Sequence, residues 1–71
     1  MNQLINLGWD YRFDSYETYW KDIKEFRLFV TKHINNKNFS TIIIDEDDNE
    51  FELSDNSTVE WVIKLEKLLN E

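Results

Sequence analysis

Three consecutive isoleucines, Ile42-Ile43-Ile44, run straight into Asp45-Glu46-Asp47-Asp48-Asn49 and then into Phe51-Glu52-Leu53. This stretch restricts the chain more than any other part of its 71 residues. β-Branched side chains lose rotamer freedom in a helix and pack well on a pleated surface. Asp and Asn fill turns because their side chains bond the local backbone and tolerate left-handed dihedrals. Residues 41–53 are therefore expected to form a β-hairpin, with strands over 39–44 and 50–54. The isoleucine run implies burial on both faces and an internal place in the sheet. Phe51 and Leu53 are expected to point inward, Glu50 and Glu52 outward. The hairpin then carries six carboxylates within eight residues: Asp45, Glu46, Asp47, Asp48, Glu50 and Glu52.

Upstream, Leu7, Trp9, Tyr11 and Phe13 alternate with Gly8, Asp10 and Arg12, the period of a half-buried strand. Leu4 and Ile5 can begin it. Next, Tyr16, Tyr19, Trp20, Ile23, Phe26, Val30 and Ile34 recur at helical spacing, with Lys21, Lys24, Glu25 and Lys32 on the other side. Leu28 falls off that stripe. Asp14 and Glu17 are spaced as N-cap and N3, and Asn35-Asn36-Lys37-Asn38 suits a helix end. The spacing predicts a helix over 16–34. Downstream, Ser57 and Glu60 have capping-box spacing ahead of a helix over 58–69. Its apolar residues span roughly 220° of the wheel, more than the ~100° needed to meet its own core. The surplus serves either another element of the chain or another protein.

These elements predict an α+β fold, one small domain over 1–71 in β-α-β-β-α order. A three-stranded sheet carries two helices on one face. The helical crossover after the first strand permits right-handed parallel pairing.

A domain this small buries only about 60% of its unfolded surface. With no cysteine there is no disulfide to compensate, and no thiol for catalysis or zinc. Five Phe, three Tyr and three Trp supply apolar area instead. No apolar run approaches the ~20 residues that span a bilayer. The N-terminus shows no basic region followed by an apolar one. A soluble cytoplasmic protein is the expectation.

The net charge of −7 is lopsided: residues 1–38 hold six Lys/Arg against five Asp/Glu, and residues 39–71 hold two Lys against ten Asp/Glu. Such asymmetry points to a charged partner, or to acids that keep a small protein soluble. Asp45, Asp47 and Asn49 match the first three ligand positions of a calcium loop. Glu50 then stands where Gly is required and Asn56 where a bidentate Glu is required, so no metal site and no cofactor is expected. With no Cys and one His, His33, which reads as a capping or surface residue, nucleophilic catalysis has almost nothing to work with; Gly8 alone cannot make a phosphate loop, the paired carboxylates sit on an exposed turn without an apolar pocket, and enzyme activity is not expected. Lys21, Lys24, Arg27, Lys32 and Lys37 suggest a small basic face, but local acids can pair with them, and the overall charge opposes direct nucleic-acid binding. Trp9, Tyr11, Tyr16, Tyr19 and Trp20 read as core, with one or two of them free to anchor an interface.

Residues 39–69 resemble part of the small acidic anti-CRISPR proteins encoded by phages of low-GC bacteria. The likeness lies in the isoleucine strand, acidic turn, short strand, acid-led cap and apolar helix. A chain without Ala or Pro and rich in Asn, Ile and Lys fits AT-rich coding as well. The resemblance implies a DNA-mimic inhibitor whose Asp45, Glu46, Asp47, Asp48, Glu50 and Glu52 occupy a nucleic-acid channel on a basic effector protein. A toxin-immunity protein shares this acidic character. A structural or regulatory module that self-associates through the last helix or a sheet edge is the remaining alternative. Monomer and homodimer both stay open.

Overall fold

The computed structural model describes residues 3–71; Met1 and Asn2 lie outside the described residues. A short helix α1 (Gln3–Asn6) precedes five strands, β1 (Asp10–Phe13), β2 (Tyr16–Ile23), β3 (Phe26–His33), β4 (Phe39–Ile44) and β5 (Glu50–Ser57), and the chain closes with helix α2 (Val59–Asn70). The strands form one sheet in sequence order, with every neighbouring pair antiparallel. This overturns the expected three-stranded sheet in β-α-β-β-α order, its parallel pair and its helical crossover.

The difference lies in residues 16–34. Tyr, Trp, Thr, Phe and Val dominate the stretch, and these residues favour strands. They form a hairpin in which Tyr16 faces His33 and Ile23 faces Phe26. Only Lys24 and Glu25 lie between the paired ends, and Lys24 takes a left-handed φ of 56°. A two-residue hairpin loop normally announces itself with Asn-Gly or Asp-Gly, and here that signal is missing. Leu28, discordant with a helical stripe, is fully buried and pairs with Ile43 and Lys21. Period two explains it: Tyr19, Lys21 and Ile23 share one face of the sheet with Phe26, Leu28 and Val30.

Helix α2 covers that face. Val62 is fully buried, and Ile63, Leu65 and Leu69 pack against Trp9, Tyr19, Ile23, Leu28, Val30 and Phe39. Glu66 is buried among them; its carboxylate accepts from Trp9 Nε1 at 2.9 Å and from Lys21 Nζ at 2.6 Å. Trp61 and Leu68 stay exposed, so part of the wide apolar arc faces away from the sheet. The N-cap is Thr58, whose hydroxyl accepts from the Trp61 N–H at 3.1 Å. The expected cap, Ser57, is instead buried on β5 and shares a 2.9 Å hydroxyl hydrogen bond with Thr41.

The N-terminal reading also changes. Leu4 and Ile5 belong to α1, and Gly8, at φ 91°, makes the left-handed turn that delivers Trp9 to the core. The β4–β5 hairpin forms, with β4 internal, but β5 runs on to Ser57 instead of ending at Ser54, and two further details differ. Ile42, Ile43 and Ile44 are all only half-buried, and Ile42 and Ile44 lie on the face that no element among the described residues covers. Phe51 and Leu53 are about half exposed, at 54% and 42%. A register shift between Thr41 and Ile42 disturbs the pairing around Leu53, and α2 leaves Phe51 uncovered.

Leu28 separates the two folds experimentally. On the surface of a helix, Leu28→Ala would be nearly silent. In the core observed here it should cost about 2–5 kcal/mol in urea unfolding, whereas Ile34→Ala, at an exposed position, should cost far less.

Candidate functional site

The acidic tip is built by its first residue. The Asp45 N–H donates to the Asn49 carbonyl at 3.1 Å, and the Asp48 N–H donates to the Asp45 carbonyl at 3.1 Å. The Asp45 carboxylate then accepts from the N–H groups of Asp47 and Asn49, at 2.9 and 3.0 Å, and from the Asn49 side-chain amide at 3.2 Å. These donors hold the carboxyl below its usual range. The Asn49 N–H acts most strongly and desolvation opposes it. Asp48 takes the left-handed φ, 64°, that the turn demands. Asp45 is thus a structural turn residue, and its lone pairs point back into its own loop.

The other five acids are exposed. Glu46, Asp47 and Asp48 project from the tip. Glu50 and Glu52 lie on β5 opposite Ile44 and Ile42, and so share the sheet face turned away from α2. The six carboxylates therefore divide into one inward, three at the tip and two on a face. Among the described residues, the ion pairs are Arg12–Asp14, Lys21–Glu66, Arg27–Asp22 and Lys32–Glu17, none of which involves the hairpin acids. Nor does any group of three or more His, Cys, Asp or Glu among the described residues stand where it could hold a metal.

The expected basic face is dispersed. Lys21 and Lys32 lie on the α2 side and pair with Glu66 and Glu17, each at 2.6 Å. Glu17 also accepts from the Tyr19 hydroxyl at 3.1 Å; burial, aided by this carboxylate, pushes that hydroxyl up to about 12. Lys24 reaches the Glu71 carbonyl at 2.7 Å. Arg27 alone of the five sits on the open face among strand residues, gripped by both Asp22 oxygens at 2.5 and 3.1 Å. His33 ends β3 with its ring edge-on to Tyr16 and its Nδ1 accepting from the Asn35 N–H at 3.2 Å.

The open face itself was missed, because a helix over 16–34 would have hidden its composition. Strand register lays its side chains out in rows. One row runs Asp10, Trp20, Phe29, Ile42, Glu52, with the Trp20 and Phe29 rings stacked at 6.1 Å. The row beside it runs Asp22, Arg27, Ile44, Glu50. On the other side Thr18 and Thr31, bonded hydroxyl to hydroxyl at 3.2 Å, form the floor of a concavity of about 750 Å³. Trp20 and Phe29 wall one side and Tyr16 lines the other. The strand preference of Tyr16, Thr18, Tyr19, Trp20, Phe29, Val30 and Thr31 was the available signal.

Comparison with protein-family models, with curated proteins and with solved structures returns no match. No helix among the described residues is long and apolar enough to cross a membrane.

The turn chemistry at Asp45 is open to titration. In the folded protein this carboxyl protonates at lower pH than in the unfolded chain, so the unfolded chain binds the proton first as pH falls. The stability it contributes is complete above the usual 3.8 and is lost as pH drops through the lower folded value. Asp45→Ala should therefore show a shallower loss of stability on acidification than the parent. Parallel acid limbs in denaturation curves would mean that the carboxylate does not hold the turn.

Proposed function

We propose that this chain is a non-enzymatic inhibitor that binds a basic, nucleic-acid-handling site on another protein through its acidic β4–β5 hairpin, acting in the cytoplasm. What carries this reading is the absence, among the described residues, of any own-chain cation paired with Glu46, Asp47, Asp48, Glu50 or Glu52. Surface carboxylates kept only for solubility need not crowd together. Crowding costs stability through mutual repulsion, so the cluster asks for a counter-charge from outside. The hairpin also gives the acids a stiff mount, since β4 is paired on both sides and Asp45 ties the tip. Carboxylates closely spaced on a stiff ribbon present negative charge much as a phosphate row does, and a basic groove would be steered onto them. Occupying such a groove excludes the nucleic acid.

The test has two stages. Capture from a bacterial lysate, followed by a rising salt wash, should release a basic protein whose nucleic-acid binding this chain competes away. Against that purified protein, Asp47→Lys, Asp48→Lys and Glu50→Lys combined should slow association by at least about 10-fold at low ionic strength, with an unchanged circular dichroism spectrum. An on-rate that ignores both the substitutions and the salt would overturn the proposal.

A further inference from the structure

We infer that the open face of the sheet, and not the hairpin tip alone, receives the partner, and that the occupant is a polypeptide segment with an apolar side flanked by Lys or Arg. This rests on the preceding reading of the hairpin and adds where the partner lies and what it must carry. The half-buried Trp20, Phe29, Ile42 and Ile44 are contiguous by strand register, forming an apolar strip on a face that no element among the described residues covers. The strip ends on β5 at Glu50 and Glu52, the direct cross-strand neighbours of Ile44 and Ile42. With strands ~4.8 Å apart, Trp20 and Glu52 stand about 14 Å apart across the row. A single segment can therefore lay apolar side chains on the aromatics and bring a cation to the carboxylates.

Charge decides among the occupants. The cations of this face are already matched: Arg12 lies 3.6 Å from Asp14, and Arg27 is held by Asp22 with Asp10 adding its field. The unmatched charges, Glu50 and Glu52, are negative. A stacking platform for single-stranded nucleic acid needs aromatics together with free cations along the backbone, and among the described residues Arg12 and Arg27, the cations of this face, each stand beside a carboxylate. A second copy would bring the same unmatched acids and another −7 of net charge. A basic, amphipathic segment satisfies both halves of the surface at once.

The test is a backbone-amide NMR titration of the full chain with three probes. One is a helix-forming 18-residue Lys/Leu peptide with its leucines on one side. The second is a Lys/Gly peptide of equal length and charge, and the third an oligothymidine of similar length. The Lys/Leu peptide should shift Trp20, Phe29, Ile42, Ile44, Glu50 and Glu52 together and bind at least tenfold tighter than the Lys/Gly peptide. Ile42→Thr and Phe29→Thr, which keep β-branching or strand preference, should each remove most of that advantage while the spectrum stays dispersed. Glu50→Gln with Glu52→Gln should weaken both peptides. Equal affinity for the two peptides, with Ile42→Thr silent, overturns the face and leaves the hairpin reading intact. Failure of both peptides to bind overturns the two together. Shifts confined to α2, a concentration-dependent dimer through the same residues, or tighter binding of oligothymidine on this face also overturns the inference.

Discussion

A buried carboxylate on the last helix organises this small protein. Glu66 sits in the middle of the packed side of α2, accepting from the Trp9 indole and from the Lys21 ammonium, and Lys21 in turn donates to the Leu7 carbonyl at 2.8 Å. Three parts of the chain meet there: α2, the centre of β2, and the connection from α1 into β1. Apolar packing alone is non-directional and would let a 12-residue helix slide or rotate on the sheet. A desolvated carboxylate tolerates burial only where its donors stand, so it selects one placement. This network seats α2 on one face of the sheet and leaves the opposite face without cover among the described residues.

The two faces differ in charge as well as cover. On the α2 side, Lys21 and Lys32 are taken up by Glu66 and Glu17. On the open side, Asp22 and Asp14 take up Arg27 and Arg12. Four of the six cations of the first half thus enter ion pairs, Lys21 with a carboxylate of the second half, and among the described residues the exposed acids of the β4–β5 hairpin go unanswered. The imbalance leaves an acidic tip and two acidic strand positions next to an apolar strip.

Much of the second half was legible beforehand. Ile42-Ile43-Ile44 and the Asp/Asn turn marked the hairpin because β-branching and turn chemistry act locally, and α2 followed from its apolar spacing. The first half was not legible in the same way. Tyr16, Tyr19, Trp20, Ile23 and Phe26 satisfy a helical period by accident, and the turn at Lys24-Glu25 uses residues that rarely mark a turn. Leu28 and Phe29 dissented. Glu66 was invisible for a different reason: a charged residue on a helix is assigned to water unless its long-range donors, here 45 and 57 residues away, are known. For the candidate site, the acids were readable one by one. Their division among an inward Asp45, an exposed tip and a sheet face depends on register, which no local pattern reveals.

The seating of α2 can be measured as a coupling energy between Lys21 and Glu66. A double-mutant cycle with Lys21→Met and Glu66→Leu, read by urea unfolding, isolates it. Lys21→Met alone, which strands the buried carboxylate, is expected to cost about 2–3 kcal/mol. That is less than for a fully enclosed pair, because the ammonium is partly wetted. The double variant should recover much of the loss, leaving a coupling of at least ~1 kcal/mol. Strictly additive losses, or a silent Lys21→Met, would mean that the Lys21–Glu66 pair does not seat α2.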